Sequence, residues 1–403
     1  MVRDRLKNAR FPRLTNLFTG FYAGISSGGT LLVICALVSL LLSNSSLAPS
    51  WLNLWSAPLD PHLPGLHSHS LTGWINDGLM TVFFLLVGLE IERELLVGEL
   101  SDFRTALLPV VAAVGGMAVP ALLYFLVNLN QTQLWNGAGI PTATDIAFAI
   151  AIMRGLGNKV PAALKVFLTA LAIIDDLGAI AVIAIFYGQG IHTAWLLATL
   201  GIFGFLLFLR YLKVNQLWVY LLLGILLWYC MMHSGIHATL AGVLLAFTIP
   251  FNKKDEDLSP SGRLMHKLHK PVGNIILPLF ALANTAIAIS RSPEDYFLSP
   301  LSLGILTGLV VGKPLGIFLA SWISLRMRMT SLPSGVTVSQ ILGAGMLGGI
   351  GFTMAIFVAN LAFDNQTLIE TAKVSILIAS TLSAVLGYFW LGKRRAGKID
   401  PQK

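Results

Sequence analysis

The chain has 403 residues, of which 55% are hydrophobic and only 11% charged, a balance that excludes an ordinary soluble globular domain. Its formal net charge of +8 does not point to nucleic acid as a partner, because the basic residues fall in short connections and tails where they report membrane topology. At about 20 residues per span, this length accommodates about a dozen transmembrane helices and leaves no room for a large soluble domain, so 1–403 reads as one membrane transport domain in contact with lipid.

In chain order, 1–23 reads as a cytoplasmic N-terminus. There Phe11, Leu14, Leu17, Phe18 and Phe21 recur at helical spacing beside Arg3, Arg5, Lys7, Arg10 and Arg13, the pattern of a short interfacial helix. The next apolar segment lacks a small-residue cleavage site and reads as a retained first span. Apolar windows then predict a twelve-span bundle over 24–391, with spans near 24–44, 73–93, 105–127, 135–155, 161–186, 194–212, 216–232, 235–250, 271–290, 302–324, 338–361 and 369–391. Segment 45–72, with Pro49, Pro58, Pro61, Pro64, Trp51 and Trp55 but no Lys or Arg, is the long external connection. It reads either as an ordered loop or as a hairpin that pairs two protomers into a homodimer. Cys35 and Cys230 lie in separate apolar runs and read as small core residues, not a disulfide. The basic tail, 392–403, closes the chain.

Lys and Arg positions test the division independently. They crowd the N-terminus and every second connection: Arg93 and Arg104; Arg154, Lys159 and Lys165; Arg210 and Lys213; Lys253, Lys254, Arg263, Lys267 and Lys270; Arg326 and Arg328; and the tail. The intervening connections hold only Arg291 and, close to the start of the last span, Lys373. Both termini are therefore expected in the cytoplasm.

Two spans carry breaking residues at mid-length. In span four Pro141 removes a backbone donor while Gly137 and Gly139 weaken the turn before it. Span eleven carries Gly343, Gly345, Gly348, Gly349 and Gly351 before Phe352 and Thr353. Each reads either as close helix packing through small residues or as unwound backbone, which is tolerated at that depth only against protein or a water-filled cavity. Span four is the middle of spans 3–5 and span eleven the middle of spans 10–12, and triplets that start on odd and even spans face opposite ways. Inverted-topology repeats with two interrupted helices crossing at mid-membrane are therefore expected.

Asp145, Asp175, Asp176 and Lys313 lie inside apolar runs. Each such charge costs roughly 3 kcal/mol at a helix centre, and an intramembrane ionisable cluster marks an ion or proton pathway. Asp175 and Asp176 are neighbours about 100° apart around a helix axis, so they have different jobs: one to bind a cation with Asp145, the other to turn towards Lys313. Carboxylates, the Thr144 hydroxyl, carbonyls and water suit a hard alkali cation, and a site that accepts either a cation or protons exchanges them by competition. Lys313 reads equally as a structural partner and as a proton carrier. Asp145 and Lys313 also read as counter-charges to broken-helix ends. At the ends of span two, Asp77, Glu90, Glu92, Arg93 and Glu94 read as a solvated helix end, or, for Glu90 and Glu94 on one face, as a cation-attracting funnel. His237, His266 and His269 are candidates for a response to pH near neutrality.

Gly137-to-Ala151 with its Thr-Asp pair, Ala172-Ile-Ile-Asp175-Asp176-Leu-Gly178, Gly312-Lys313-Pro314-Leu-Gly316, Gly348-Gly-Ile-Gly351-Phe-Thr353, Trp74-Ile-Asn-Asp77 and Gly88-Leu-Glu90 together resemble NhaA-type sodium/proton antiporters over nearly the whole chain. That family is itself a type example of the inverted-repeat transporter architecture. The resemblance implies a twelve-helix bacterial inner-membrane protein, dimeric, that expels Na⁺ or Li⁺ for incoming H⁺, electrogenically and with activation at alkaline pH, without a cofactor. It implies Asp176 as principal cation and proton ligand, Asp175 as partner of Lys313, and Asp145 and Thr144 at the helix crossing. It implies a pH response at Glu90, Arg93, Glu94, His237 and His266. Glu92 stands where the family usually has Lys, and Met265 where a Glu commonly precedes the histidine; both departures bear on the pH-sensing surface. A protease reading fails because adjacent Asp175 and Asp176 are poor geometry for a catalytic dyad and no Gly-x-Gly-Asp signature is present. A passive cation channel also needs carboxylates in a pore, but has no need of an apposed lysine.

Overall fold

The computed structural model describes residues 29–59, 69–188, 190–289 and 296–393. The predicted interfacial helix in 1–23, the tip of segment 45–72, Arg291 and the tail beyond Lys393 lie outside the described residues. Helix α1 (Gly29–Leu42) leads to α2 (Ala48–Ser56) and a short antiparallel hairpin, β1 (Pro58–Leu59) and β2 (His69–Ser70), with Pro58 opposite Ser70. Segment 45–72 is thus partly helical and partly a hairpin. Next come α3 (Leu71–Leu96), α4 (Phe103–Val127), a 3₁₀ helix (Thr132–Thr142), α5 (Ile146–Gly155) and α6 (Ala162–Phe186). They are followed by α7 (Thr193–Tyr211), α8 (Leu217–Ser234) and α9 (Leu240–Ala246). Helix α10 (Pro260–Pro271) runs through a π-turn (Val272–Ile276) into α11 (Leu277–Asn284). The last elements are α12 (Pro300–Arg326), α13 (Val338–Gly348), α14 (Phe352–Ala362) and α15 (Gln366–Lys393). Among the described residues seven helices are long and apolar enough to cross a membrane, or eight if α13 and α14, bent by 50° at their junction, count as one.

Two boundaries and the placement of one residue differ from the sequence reading. Helix α8 ends where Gly235 takes a φ of +83°, a left-handed conformation that glycine adopts without a Cβ clash, so only Leu240–Ala246 of the predicted span 235–250 forms an α-helix. Helix α10 starts well before the predicted 271, because Ser259 accepts from Gly262 N–H and Pro260 occupies the first turn. Its basic, amphipathic sequence escapes an apolar window. Lys373, placed by sequence near an external connection, lies seven residues into α15 and is only 8% exposed.

Small residues set the helix contacts that position the centre of the bundle. Helix α12 lies against α4, where a Cβ on Gly312 would fall 2.8 Å from the Cα of Pro120 and one on Gly116 2.7 Å from Ile317 Cγ1. Helix α9 lies beside α3, with Gly88 against Ala246 and Gly242 against Thr81 and Leu85. The two therefore run in the same direction, which puts His237 at the Asp77 end of α3 and far from Glu90.

Candidate functional site

Both interrupted helices break as the prolines and glycines predict, and the breaks bond directly to each other. Upstream of Pro141 the chain is a 3₁₀ helix, held by Tyr124 OH donating to Leu134 O (2.8 Å) and Tyr187 OH donating to Asn136 O (2.6 Å). It turns extended through Ala143 and Asp145 before α5 begins. The second break is the gap between α13 and α14. Asp145 N–H donates to Ile350 O at 2.6 Å, and Thr144 Oγ1 lies 2.9 Å from Gly348 O.

Helix ends expose four N–H or four C=O groups and a partial charge, and the ionisable residues meet these ends in a definite order. Asp145 Oδ1 accepts from Phe148 N–H of α5 at 2.9 Å, while Oδ2 accepts from the N–H (3.1 Å) and the hydroxyl (2.5 Å) of Thr353 at the start of α14. One carboxylate thus caps two helix N-termini. Ser380 Oγ accepts from Phe352 N–H at 3.0 Å. Lys313, immediately after a π-turn (Thr307–Gly312), donates to Thr142 O at the end of the 3₁₀ helix, placing positive charge on a C-terminal end.

The two aspartates of α6 separate as their spacing requires. Asp175 Oδ2 lies 3.0 Å from Lys313 Nζ and 2.8 Å from Thr144 Oγ1. Asp176 points instead into a cavity of about 660 Å³, mouth included, whose polar lining is Asp145, Asp176, Thr353, Glu90 and His269. Asp175, Asp176 and Lys313 are 0%, 1% and 0% exposed, and Asp176 Oδ1 has no hydrogen-bond partner among the described residues. The chemistry of this arrangement is an ion pair through one oxygen of Asp175, whose Oδ1 has no partner among the described residues, beside a second carboxylate, Asp176, that lines space able to hold water or a cation.

The cavity leads to the end of α3. There Glu90 Oε1 faces His269 Nδ1 at 3.6 Å, Arg93 bridges Glu94 (2.9 Å) and Glu256 (3.1 Å), and His266 pairs with Asp257 at 2.9 Å. Glu92 points away from the mouth and is buried against Arg210 at 2.7 Å, tying α3 to α7. Glu90, Arg93, Glu94 and His266 are therefore brought together, whereas His237 is at the opposite end of the bundle. Burial, with His266 and Arg93 nearby, pushes His269 down to about 4. The folded protein then refuses a proton that the unfolded chain accepts below about 6.5, so this residue withdraws stability as pH falls from about 6.5 towards 4. It stays neutral between pH 6 and 9. His269→Gln is accordingly expected to remove that loss of stability, as read from thermal unfolding between pH 4 and 7.

Sequence reasoning did not single out a second buried polar group. Asn284 Nδ2 donates to Asn76 Oδ1 (2.8 Å) and Phe280 O (3.1 Å), while its Oδ1 accepts from Asn360 Nδ2 (2.7 Å) and Lys373 Nζ (3.2 Å). Asn76 sits in a π-turn (Ile75–Leu79), a distortion that recurs at functional positions. The signal available in the sequence was Lys373 itself, a charge within the window of an apolar helix.

An all-helical bundle that is apolar outside and keeps three carboxylates, a lysine and two helix breaks at its buried centre belongs to the class of polytopic membrane transport proteins. The family model described as Na+/H+ antiporter 1 matches residues 20–391. The chain is 52% identical over 379 residues to the Na(+)/H(+) antiporter NhaA of Flavobacterium psychrophilum, covering 94% of this chain and 96% of that one. It is 52% identical over 382 residues to that of Dechloromonas aromatica (94% and 96%) and 46% identical over 382 residues to that of Citrobacter koseri (93% and 97%). The chain therefore belongs to the NhaA-type Na⁺/H⁺ antiporter family, a family of transporters, and is a multi-pass bacterial membrane protein.

Proposed function

We propose that this protein expels cytoplasmic Na⁺ or Li⁺ in exchange for external H⁺, by competition of the two for Asp176 within an alternating-access cycle. The observation that carries the reading is the contrast between the two neighbours on α6. Asp175 is tied through Oδ2 to Lys313 and Thr144 and does not line the cavity, whereas Asp176 lines it, has no such ion pair and leaves Oδ1 without a partner among the described residues. A cation bound by Asp176 can draw further oxygen ligands from Asp145, Asp175, Thr144 and water, the donor set a hard ion prefers. A carboxylate that holds either H⁺ or Na⁺, never both, couples their movements. No cofactor enters this scheme; Na⁺, Li⁺ and H⁺ are the cargo. Electrogenic exchange and activation by alkaline pH, through Glu90, Arg93, Glu94 and His266 at the cavity mouth, belong to the same reading.

The topology that accompanies it is one domain over 1–403 with twelve crossings. Adding the short and interrupted segments α1, the 3₁₀ helix with α5, α9, and α11 with the π-turn before it to the eight counted by length and apolarity brings the total to twelve. Spans 3–5 and 10–12 then form inverted repeats whose broken middle helices cross at mid-membrane, and the basic connections put both termini in the cytoplasm of an inner-membrane protein. The hairpin of β1 and β2 is the element we assign to a homodimer contact.

Everted membrane vesicles with an acid interior test the exchange. Added Na⁺ or Li⁺ is expected to alkalinise the lumen, with K⁺ giving little response. Na⁺ flux that ignores the pH gradient would instead make the protein a channel.

A further inference from the structure

We infer that the amide hub centred on Asn284 is the external gate of the ion path, and that Lys373 is part of its closure. This rests on the antiport reading and its orientation, since it assigns the gate to the end of the bundle opposite the basic connections.

The hub is built as a lock. An amide side chain offers two donors and two acceptor lone pairs, and Asn284 uses all four, on Asn76, Phe280, Asn360 and Lys373. These bonds join α3, α11, α14 and α15 at one point. Asn284 is completely buried, so opening a water path there has to break bonds that nothing else in the dry interior replaces.

Its position is on the far side of the candidate site from the cavity. Asn360 follows Thr353 by seven residues on α14, about 10 Å along the axis, and Asn76 precedes Glu90 by fourteen on α3, about 21 Å. The cavity runs from Asp176 towards Glu90 and His269, while the hub blocks the other direction. The conformation described is thus open at the Glu90 end and shut at the Asn284 end.

Lys373 gives the closure its selectivity. A buried ammonium is expensive to keep, and a methionine would fill the same space without that cost. An ammonium held on neutral amide oxygen lies where a cation leaving the centre would have to pass, so the shut hub repels cations by charge as well as by bonding. A passing cation has to displace it.

The test uses the full-length protein in native membranes, with Cys35 and Cys230 replaced by alanine and one reporter cysteine at a time. Ala283→Cys, buried next to the hub, reports the external end; Val87→Cys, buried in the cavity lining, reports the other. Membrane-impermeant thiol reagents are applied to right-side-out and everted vesicles. Asn284→Ala, and separately Lys373→Met, are expected to raise the external reactivity of Ala283→Cys roughly tenfold, the shift that loss of one or two hydrogen bonds from the shut state implies. The same variants are expected to lower the cytoplasmic reactivity of Val87→Cys. Opposite changes at the two ends identify a gate. Reactivity that rises at both ends marks general loosening and overturns the inference, as does no change at either. Should Asn284→Ala fail to reach the membrane, Lys373→Met, which keeps the amide bonds, decides the matter alone. Coupled flux of the parent protein is measured in the same vesicles: its absence would remove the antiport reading, whereas opposed labelling with coupled flux intact supports both.

Discussion

Asp176→Asn is expected to reduce Na⁺/H⁺ exchange in everted vesicles to background while leaving the protein folded. The amide has nearly the shape of the carboxylate, but it has neither a charge to hold Na⁺ nor a titratable proton to exchange for it. Asp176 Oδ1 makes no hydrogen bond among the described residues, so few native interactions disappear. A buried unpaired carboxylate is itself destabilising, and thermal unfolding in detergent should therefore be unchanged or higher in the variant. Loss of transport with stability retained is the combination expected of a residue whose local cost is kept for function. A variant that still exchanges with native cation affinity would move the cargo site elsewhere.

Lys313→Ala should give the largest loss of stability. It leaves Asp175, which is 0% exposed, with Thr144 as its remaining partner and uncovers Thr142 O at the end of the 3₁₀ helix. Breaking a buried pair from one side typically costs about 3–5 kcal/mol, whereas removing both charges costs far less. Thermal unfolding of Lys313→Ala should accordingly fall well below that of the parent, and adding Asp175→Asn should recover most of the difference. Transport by the double variant then separates the two roles open to Lys313. A stable protein that still exchanges ions assigns the lysine to structure; a stable but silent one is compared with Asp175→Asn alone, and exchange by that single variant then assigns Lys313 to proton movement.

Much of this centre was legible because charge is conspicuous in apolar sequence. Asp145, Asp175, Asp176 and Lys313 stood out by their cost in lipid, and Pro141 and Gly348–Gly351 marked the two breaks because they remove helix bonds or weaken the turn. The roughly 100° between helical neighbours already required Asp175 and Asp176 to face different partners. The remainder depended on contacts between distant segments. That Asp145 serves two helix ends requires knowing that Thr353 lies beside it, 208 residues later. The Asn284 hub is assembled from neutral amides on separate helices, and Lys373 lay near enough to a predicted helix start to pass for a connection residue. Helix α10 stayed hidden for the converse reason: it is too polar for an apolar window, and its Ser259-Pro260 start is a local signal that hydropathy ignores. Of the three histidines, His266 and His269 fall in a basic connection and His237 at the other end of the span before it, and the contacts of α9 with α3 put His237 at the Asp77 end.

The two breaks are stitched by three hydrogen bonds, from Asp145 N–H to Ile350 O and from the N–H and hydroxyl of Thr353 to the Asp145 carboxylate, with the Thr144 hydroxyl set between Gly348 O and Asp175 Oδ2. Tugging on either half-helix therefore drags its counterpart, much as a rivet makes two crossed blades pivot together. Any tilt of α5 against α14 carries this rivet along whole or shears its three bonds together.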